Sequence, residues 1–169
     1  MIECLINNVL EGVGKDAEVV TNNLGGKQSK APMAMHLIDP DFLDFWFNPL
    51  PEAEFPAIRY ITDFMKTGNK MDLIHAIYEC QVELSGEAIY EDRALEVVAK
   101  VLQEGAEKYR PNNWRLIPQE DHINHALIHY LANTLGDNQD DHLQHCMCRL
   151  MMAYATSPSK DFNYTTFIA

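Results

Sequence analysis

The chain has few basic residues: 13 Lys and Arg stand against 25 Asp and Glu, which gives its 169 residues a formal net charge of −12. Proteins that coat nucleic acid bind mainly by neutralising backbone phosphates with Lys and Arg. The charge balance therefore argues against a nucleic acid polymer as partner. A small phosphorylated ligand remains compatible, provided that a local group of cations or a metal ion meets its phosphates.

Long apolar runs are also missing, and none approaches the roughly 18 residues that a membrane span needs. The first residues lack the basic region and small-residue cleavage site of a signal peptide. The chain has only four cysteines, without a CxxC pair, so we expect reduced thiols and no zinc–thiolate site. These absences predict a cytoplasmic protein with no membrane partner.

We find no convincing β-hairpin signal, whereas apolar residues recur at helical spacing along most of the chain. Asp39 followed by Pro40 is typical of a helix start. We therefore predict an all-α fold, a single helical bundle over residues 1–169 with an antiparallel helical hairpin at its C-terminal end. Helices are predicted at residues 1–12, from Pro40 to Asn48, and at about 56–66, 70–84, 90–109, 119–135 and 140–155.

The last two predicted helices carry a repeated sequence. Residues 121–125 read Asp-His-Ile-Asn-His, and residues 141–145 read Asp-His-Leu-Gln-His. The short connection at residues 136–139 makes the two helices antiparallel neighbours. At ~100° per residue, each helix has an apolar stripe and a polar stripe. The polar stripes consist of His122, His125 and His129 on the first helix, and His142, His145 and Arg149 on the second.

If the polar stripes face a common cleft, His125, His129, His145 and Arg149 converge there, with Asp141 one turn before His145. Imidazole and carboxylate groups are common metal ligands, and a bound divalent ion can polarise a phosphoryl oxygen and activate water. We predict His125, His129, His145 and Asp141 as metal ligands, and Asp141, His129 and His145 as catalytic residues. The alternative is a set of solvated histidines, with Asp141 favouring the helix dipole.

A second candidate segment lies just before this hairpin. Lys108, Arg110 and Arg115 are the densest positive patch of the chain and suit a polyphosphate. The alternative is ordinary helix C-terminal chemistry, in which cations lie near the last carbonyls and Pro111 stops the helix. Aromatic rings and amides that could stack on a base or read its edge follow in the same segment: Tyr109, Trp114, Asn112 and Asn113.

A glycine segment, residues 25–29, reads Gly-Gly-Lys-Gln-Ser and supplies flexible backbone amides beside Lys27. This is a weak signal for a phosphate-binding loop and falls well short of a Walker motif. An ordinary turn is the competing interpretation.

Taken together, the glycine segment, the 94–115 segment and the histidine-rich helices resemble a phage-encoded family, the dATP/dGTP diphosphohydrolase N-terminal domain. That family is distantly related to MazG-type all-α pyrophosphohydrolases. The resemblance covers residues 24–39 and 92–155. It implies a nucleotide and metal core at residues 92–156, and a helical insertion at residues 40–91.

The resemblance implies cleavage of a purine deoxynucleoside triphosphate to monophosphate and pyrophosphate, in a virus that controls the nucleotide pool of its host's cytoplasm. It implies Mg²⁺ or Mn²⁺ as cofactor, with Zn, Co or Fe as alternatives that histidine ligands would suit. MazG-type relatives also imply a homo-oligomer. Lys27 and Lys108 would face phosphate. The predicted substrate-binding residues are Lys27, Lys108, Arg110, Asn113, Trp114, Arg115, His122 and Arg149.

One departure from the MazG pattern leaves alternatives open. MazG-type enzymes hold their metal with acidic ExxE and ExxD helices, whereas this chain presents His125 with His129 and Asp141 with His145. Either the metal differs, or the hairpin binds nucleotide without hydrolysing it. The rival hypotheses are thus a phage protein that sequesters a signalling nucleotide as a sponge, and a structural helical module whose histidines are incidental.

Overall fold

The structure, a computed structural model, describes residues 10, 12–14, 17–86 and 93–164. These residues form six α-helices and a small antiparallel sheet of two strands, so the predicted all-α class is confirmed. The elements are β1 (Val19–Thr21), β2 (Lys27–Ser29), α1 (Pro40–Phe47), α2 (Pro56–Thr67), α3 (Met71–Ser85), α4 (Arg93–Tyr109), α5 (Gln119–Thr134) and α6 (His142–Tyr154), with 3-10 turns at Met35–Leu37 and Asn113–Leu116.

Local signals account for several helix ends. The side chain of Asp39 caps α1 by accepting a hydrogen bond from the backbone N–H of Phe42 at 2.9 Å, and Pro40 occupies the first turn. Gly68 ends α2 in the left-handed conformation, with φ of 71°, a backbone geometry that favours glycine. The observed bounds of α2, α3, α5 and α6 lie within two residues of the predicted ones.

The β-hairpin is a correction to the sequence analysis. β1 and β2 pair antiparallel, with Val20 opposite Gln28 at the centre of the register. Each strand has only three residues, which is too short for a period of two to stand out against the surrounding polar sequence. The helix predicted at residues 1–12 falls almost wholly outside the described residues, and so does the start of the helix predicted at 90–109.

The α5–α6 hairpin is the centre of the molecule. α3 and α4 pack against α6, α2 packs against α3, and α1 against α2. Burying a side chain such as Leu127 or Met147 contributes about 1.5–3 kcal/mol. The apolar sides of α5 and α6 form much of this core, with six large side chains buried: Ile123, Leu127, Tyr130, Leu143, Met147 and Leu150.

The polar stripes are covered as well, because α4 packs against α6 and β2 lies beside the turn at Asn113–Leu116. His122 and His142 are therefore buried, at 0% and 2% exposure. None of the described helices is long and apolar enough to span a bilayer.

Candidate nucleotide site

A cavity of about 720 Å³ opens between the β-hairpin, α4, the turn at Asn113–Leu116, and the facing sides of α5 and α6. Of the twelve residues predicted to bind metal, to bind substrate or to be catalytic, ten line it and two, His122 and Asp141, do not. The structure thus gathers three separate segments of the sequence around one space. The ten lining residues are Lys27, Lys108, Arg110, Asn113, Trp114, Arg115, His125, His129, His145 and Arg149.

The residues that line this cavity carry a net positive charge, opposite in sign to the net charge of the chain. Six of the chain's 13 Lys and Arg residues line it, whereas Glu104 and Asp140 are the only acidic residues that do so in the described part of the chain. In a protein of net charge −12 such a cluster concentrates positive potential at one place. The six cations are Lys27, Lys30, Lys108, Arg110, Arg115 and Arg149.

Arg149, on α6, is held from two sides. Its Nη1 donates to Oε1 of Gln28 on β2 at 3.0 Å and to Nδ1 of His122 on α5 at 3.0 Å. Nε2 of Gln28 in turn donates to Asp121 at 2.9 Å. Burial lowers the pKa of Arg149 to about 10, so the guanidinium is still charged at neutral pH. Within the described residues only Nη1 is used, which leaves Nε and Nη2 for a ligand.

His122 has a different place from the one predicted for a substrate contact. Its Nδ1 accepts from Arg149, and its Nε2 lies 3.0 Å from the carbonyl oxygen of Trp114. A guanidinium only donates and a carbonyl only accepts, so His122 is a neutral imidazole with its proton on Nε2. Burial, and then the charge of Arg149, lower its pKa to about 3. With both nitrogens occupied, His122 positions Arg149 and has no group left for a nucleotide.

The other three predicted histidines line the cavity on neighbouring turns of α5 and α6. The ring centroids of His129 and His145 are 5.2 Å apart. Burial is the main cause that lowers the pKa of His125, of His129 and of His145, and the nearby charge of Arg149 lowers each further. This wall therefore presents neutral imidazoles at neutral pH.

Asp141 also differs from its predicted place. It is exposed at the N-terminal end of α6 and does not line the cavity. The carboxylate next to His145 belongs to Asp140, whose Oδ1 lies 3.5 Å from Nε2 of His145. The reason is the non-helical backbone before α6, which turns Asp140 inward and Asp141 outward, a change that an extrapolated helix repeat cannot show.

The predicted metal ligands do not make a metal site as they lie. Across the described ranges no group of three or more His, Cys, Asp or Glu side chains is arranged to hold an ion. Nδ1 of His129 instead lies 2.9 Å from Nδ1 of His142. This contact occupies one of the two ring nitrogens with which His129 could bind a metal ion. These residues therefore do not fit a divalent ion held by the protein alone.

Asn113 holds Lys27 in place. Its Oδ1 accepts from the backbone N–H of Lys27 at 3.0 Å, and its Nδ2 donates to the backbone carbonyl of Lys27 at 2.7 Å. Asn113 is 6% exposed, so its amide serves the β-hairpin. Its predicted contact with a base edge gives way to a positioning role, and the Lys27 side chain reaches the cavity wall from this anchored strand.

The glycine segment does not form a phosphate-binding loop. The backbone N–H groups of Leu24 and Gly26 donate to Oδ1 of Asn22, and that of Gly25 donates to the backbone carbonyl of Asn22. The amides that would cradle a phosphate are thus used within the turn. Gly26 also packs against the carbonyl of Leu116, where an added Cβ would lie 2.9 Å from the oxygen.

Two of the cations lie over aromatic rings. The guanidinium of Arg115 lies 4.3 Å from the ring centroid of Trp114, and the ammonium of Lys108 lies 4.9 Å from that of Tyr109. Trp114 thus has Arg115 over its ring and His122 in an edge-to-face contact at 6.4 Å between ring centroids, and its predicted stacking on a base stays a prediction. These contacts orient the cations at the cavity rim.

Sequence reasoning missed four residues of this site. Gln28 and Lys30 lie on or next to the unrecognised hairpin, and Asp140 lies in the loop before α6. Asp137 is buried beside His142, at 5% exposure. A Gln or an Asp in a polar loop carries no periodic signal, so only the assembled fold reveals them.

The fold and the site define a helical protein with a partly open, cation-lined cavity of a size suited to a small anionic ligand. The family model described as dATP/dGTP diphosphohydrolase, N-terminal, matches residues 70–162, more than half of the chain, and the chain belongs to this family. The match takes in α3 to α6, and therefore the histidines and Arg149, while the β-hairpin lies outside it. No curated protein and no solved structure gives a match.

Proposed function

We propose that this chain hydrolyses a purine deoxynucleoside triphosphate to the monophosphate and pyrophosphate in the cavity between α4, α5, α6 and the β-hairpin. The observation that carries the proposal is the concentration of six cations around one cavity of an acidic chain. Membership of a family named for a dATP/dGTP diphosphohydrolase supports this substrate class.

The phosphates would be bound mainly by Arg149. Its Nη1 is fixed by Gln28 and His122, so its planar fork is oriented before a ligand arrives. Such a fork binds phosphate oxygens with two parallel hydrogen bonds, and little entropy is lost when its position is already set. Lys27 and Lys108 would supply further charge, as the resemblance implied.

The base and sugar would lie toward the apolar part of the cavity wall. That part contains Val101 and Leu102 of α4 and Met151 and Met152 of α6. Methionine side chains adapt to flat rings and make favourable sulfur–aromatic contacts. His125, His129 and His145 line the same cavity, and the scissile phosphoanhydride bond would lie against them.

A divalent ion would enter with the nucleotide. Mg²⁺ is commonly bound through one or two carboxylates together with substrate phosphates, and Asp140 and Glu104 are the carboxylates lining this cavity. Metal dependence is thus a prediction for the assay, together with the choice among Mg²⁺, Mn²⁺, Zn²⁺, Co²⁺ and iron.

The test is incubation of the purified full chain with each of the four deoxynucleoside triphosphates, with and without divalent metals and EDTA, followed by separation of the products. We expect monophosphate and pyrophosphate from dATP or dGTP. Arg149→Gln should abolish turnover, which excludes a contaminating phosphatase. Lys100→Gln is the matched control, since Lys100 pairs with Glu96 on the surface of α4 and does not line the cavity.

Two results would contradict the proposal. Stoichiometric binding that returns intact nucleotide would instead support the sponge hypothesis. If the chain neither binds nor hydrolyses a nucleotide, and Arg149→Gln behaves like the parent chain, the result would support the hypothesis of a structural helical module.

A further inference from the structure

A buried chain of three side chains runs from the loop after α5 to the cavity wall. Oδ1 of Asp137 lies 3.6 Å from Nε2 of His142, and Nδ1 of His142 lies 2.9 Å from Nδ1 of His129. The side chains of Asp137 and His142 are 1% and 0% exposed, and His129 lines the cavity. The repeat in the sequence indicated none of this, because it placed His142 simply on a polar stripe.

The chemistry of the groups assigns the protons. A carboxylate only accepts hydrogen bonds, so the nitrogen of His142 that faces Asp137 carries hydrogen. At 3.6 Å this contact is longer than a hydrogen bond, and Nε2 of His142 has no other partner in the described part of the chain. The carboxylate therefore acts through its charge, which favours an N–H group on the nitrogen that faces it. With this hydrogen on Nε2 of His142, its Nδ1 is unprotonated and accepts a hydrogen bond from Nδ1–H of His129.

We propose that Asp137 and His142 are positioning residues that hold His129 in its Nδ1–H form, so that an unprotonated Nε2 is the nitrogen left for the cavity. Burial independently lowers the pKa of His129, which is consistent with a neutral ring. Carboxylate-to-imidazole contacts of this kind commonly fix the tautomer of a functional histidine.

The consequence concerns what can lie against His129. A lone pair accepts a hydrogen bond from water or a hydroxyl group and repels phosphate oxygens, which are acceptors too. His129 therefore selects a water molecule at this wall, while Arg149 and the lysines take the phosphates. This part rests on the proposed function, in which such a water would attack the α-phosphorus atom. A P–O bond would form as the bond between the α- and β-phosphates breaks, pyrophosphate would leave, and the proton of the water would pass to Nε2 of His129.

The decisive measurement is a long-range ¹H–¹⁵N correlation spectrum of the ¹⁵N-labelled full chain at pH 7.5. The signals of His129 are identified by their loss in His129→Gln. We expect a protonated Nδ1 and an unprotonated Nε2. A protonated Nε2, or a ring protonated on both nitrogens, would overturn the inference.

His142→Phe keeps a ring of similar size and removes the acceptor, so His129 should shift toward a mixture of both tautomers. Asp137→Asn is the second variant: its carbonyl can keep the 2.8 Å bond from the N–H of Gln139 while the charge is removed. His75→Gln, on the exposed side of α3, should leave the His129 signals unchanged. An unaltered His129 tautomer in a folded His142→Phe chain would contradict the inference.

Turnover gives a second, separate readout. Loss of an outer-shell partner commonly costs about 10- to 100-fold, and we expect that fall in kcat for His142→Phe with KM little changed. If the chain hydrolyses no nucleotide, the proposed function fails, while the spectrum still decides the tautomer.

Discussion

Nη1 of Arg149 and Nδ1 of His122 are joined by a 3.0 Å hydrogen bond across the α5–α6 interface. A charged donor thereby fixes the tautomer of a fully buried imidazole, and the imidazole fixes the orientation of the donor. The pair links the core of the α5–α6 hairpin to the cavity. Both the affinity for a phosphate and the stability in acid are therefore expected to depend on it.

The first prediction concerns Arg149→Lys. A lysine keeps the charge but cannot reach Gln28, His122 and a phosphate together, because its ammonium is a single point. Hydrogen bonds to charged groups contribute about 1.5–3 kcal/mol, so we expect nucleoside triphosphate affinity to fall about 10- to 150-fold. Isothermal titration calorimetry checks this, with Lys100→Gln as control. An affinity within twofold of the parent chain would exclude Arg149 as the phosphate ligand.

The second prediction concerns acid stability. The pKa of His122 is about 3 in the folded chain and near 6.5 when unfolded, so above pH 6.5 the ring is neutral in both states. Below pH 6.5 the unfolded chain takes up a proton that the folded chain does not, and the free energy of unfolding falls by about 1.4 kcal/mol per pH unit for this group.

Urea unfolding at pH 7.5, 5.5 and 4.5 measures this slope. His122→Gln should show a shallower loss of the free energy of unfolding between pH 5.5 and 4.5, since it lacks the titrating ring, whereas Lys100→Gln, a surface control without a histidine change, should keep the parent slope. If the free energy of unfolding fell equally steeply with pH in the parent chain and in His122→Gln, the neutral state assigned to folded His122 would be disproved.

The sequence predicted the parts that depend on local chemistry or on regular spacing. Pro40 and Gly68 mark helix ends by their own backbone preferences. The convergence of His129 and Arg149 followed from the 3.6-residue period of two adjacent helices. Gln28 was out of reach, because its contact with Arg149 joins residues 121 positions apart. Extrapolation of the helix repeat selected Asp141 instead of Asp140, because the backbone just before α6 is not helical.

The third prediction tests the positioning role of Asn113. Asn113→Ala removes both hydrogen bonds to the backbone of Lys27 and should lower stability by about 1–3 kcal/mol. If Asn113 acts on the ligand only through Lys27, the substitution Lys27→Ala should cost less affinity in the Asn113→Ala chain than in the parent. A double-mutant cycle of nucleotide affinities measures this coupling. Additive losses would indicate a direct contact of Asn113 with the ligand.

The fourth prediction compares two glycines that differ in the space around them. An added Cβ at Gly26 would lie 2.9 Å from the carbonyl oxygen of Leu116, so Gly26→Ala should lower the free energy of unfolding by about 1–3 kcal/mol. A Cβ added at Gly105, within α4, would meet no atom within 4 Å outside the adjacent backbone of its own helix, so Gly105→Ala should raise the free energy of unfolding by about 0.5–1 kcal/mol. Equal effects of the two substitutions in urea unfolding would contradict this packing.

The bond between Gln28 and Arg149 also has a consequence for biosynthesis. Gln28 leaves the ribosome 121 residues before its partner, which at about 5–20 residues per second is a wait of roughly 6–24 s. The bond that orients the Arg149 guanidinium can therefore form only after residue 149 has also been synthesised. A chain that stalls before residue 149 would hold Gln28 without this partner, so the oriented arginine is a property of the later stages of synthesis.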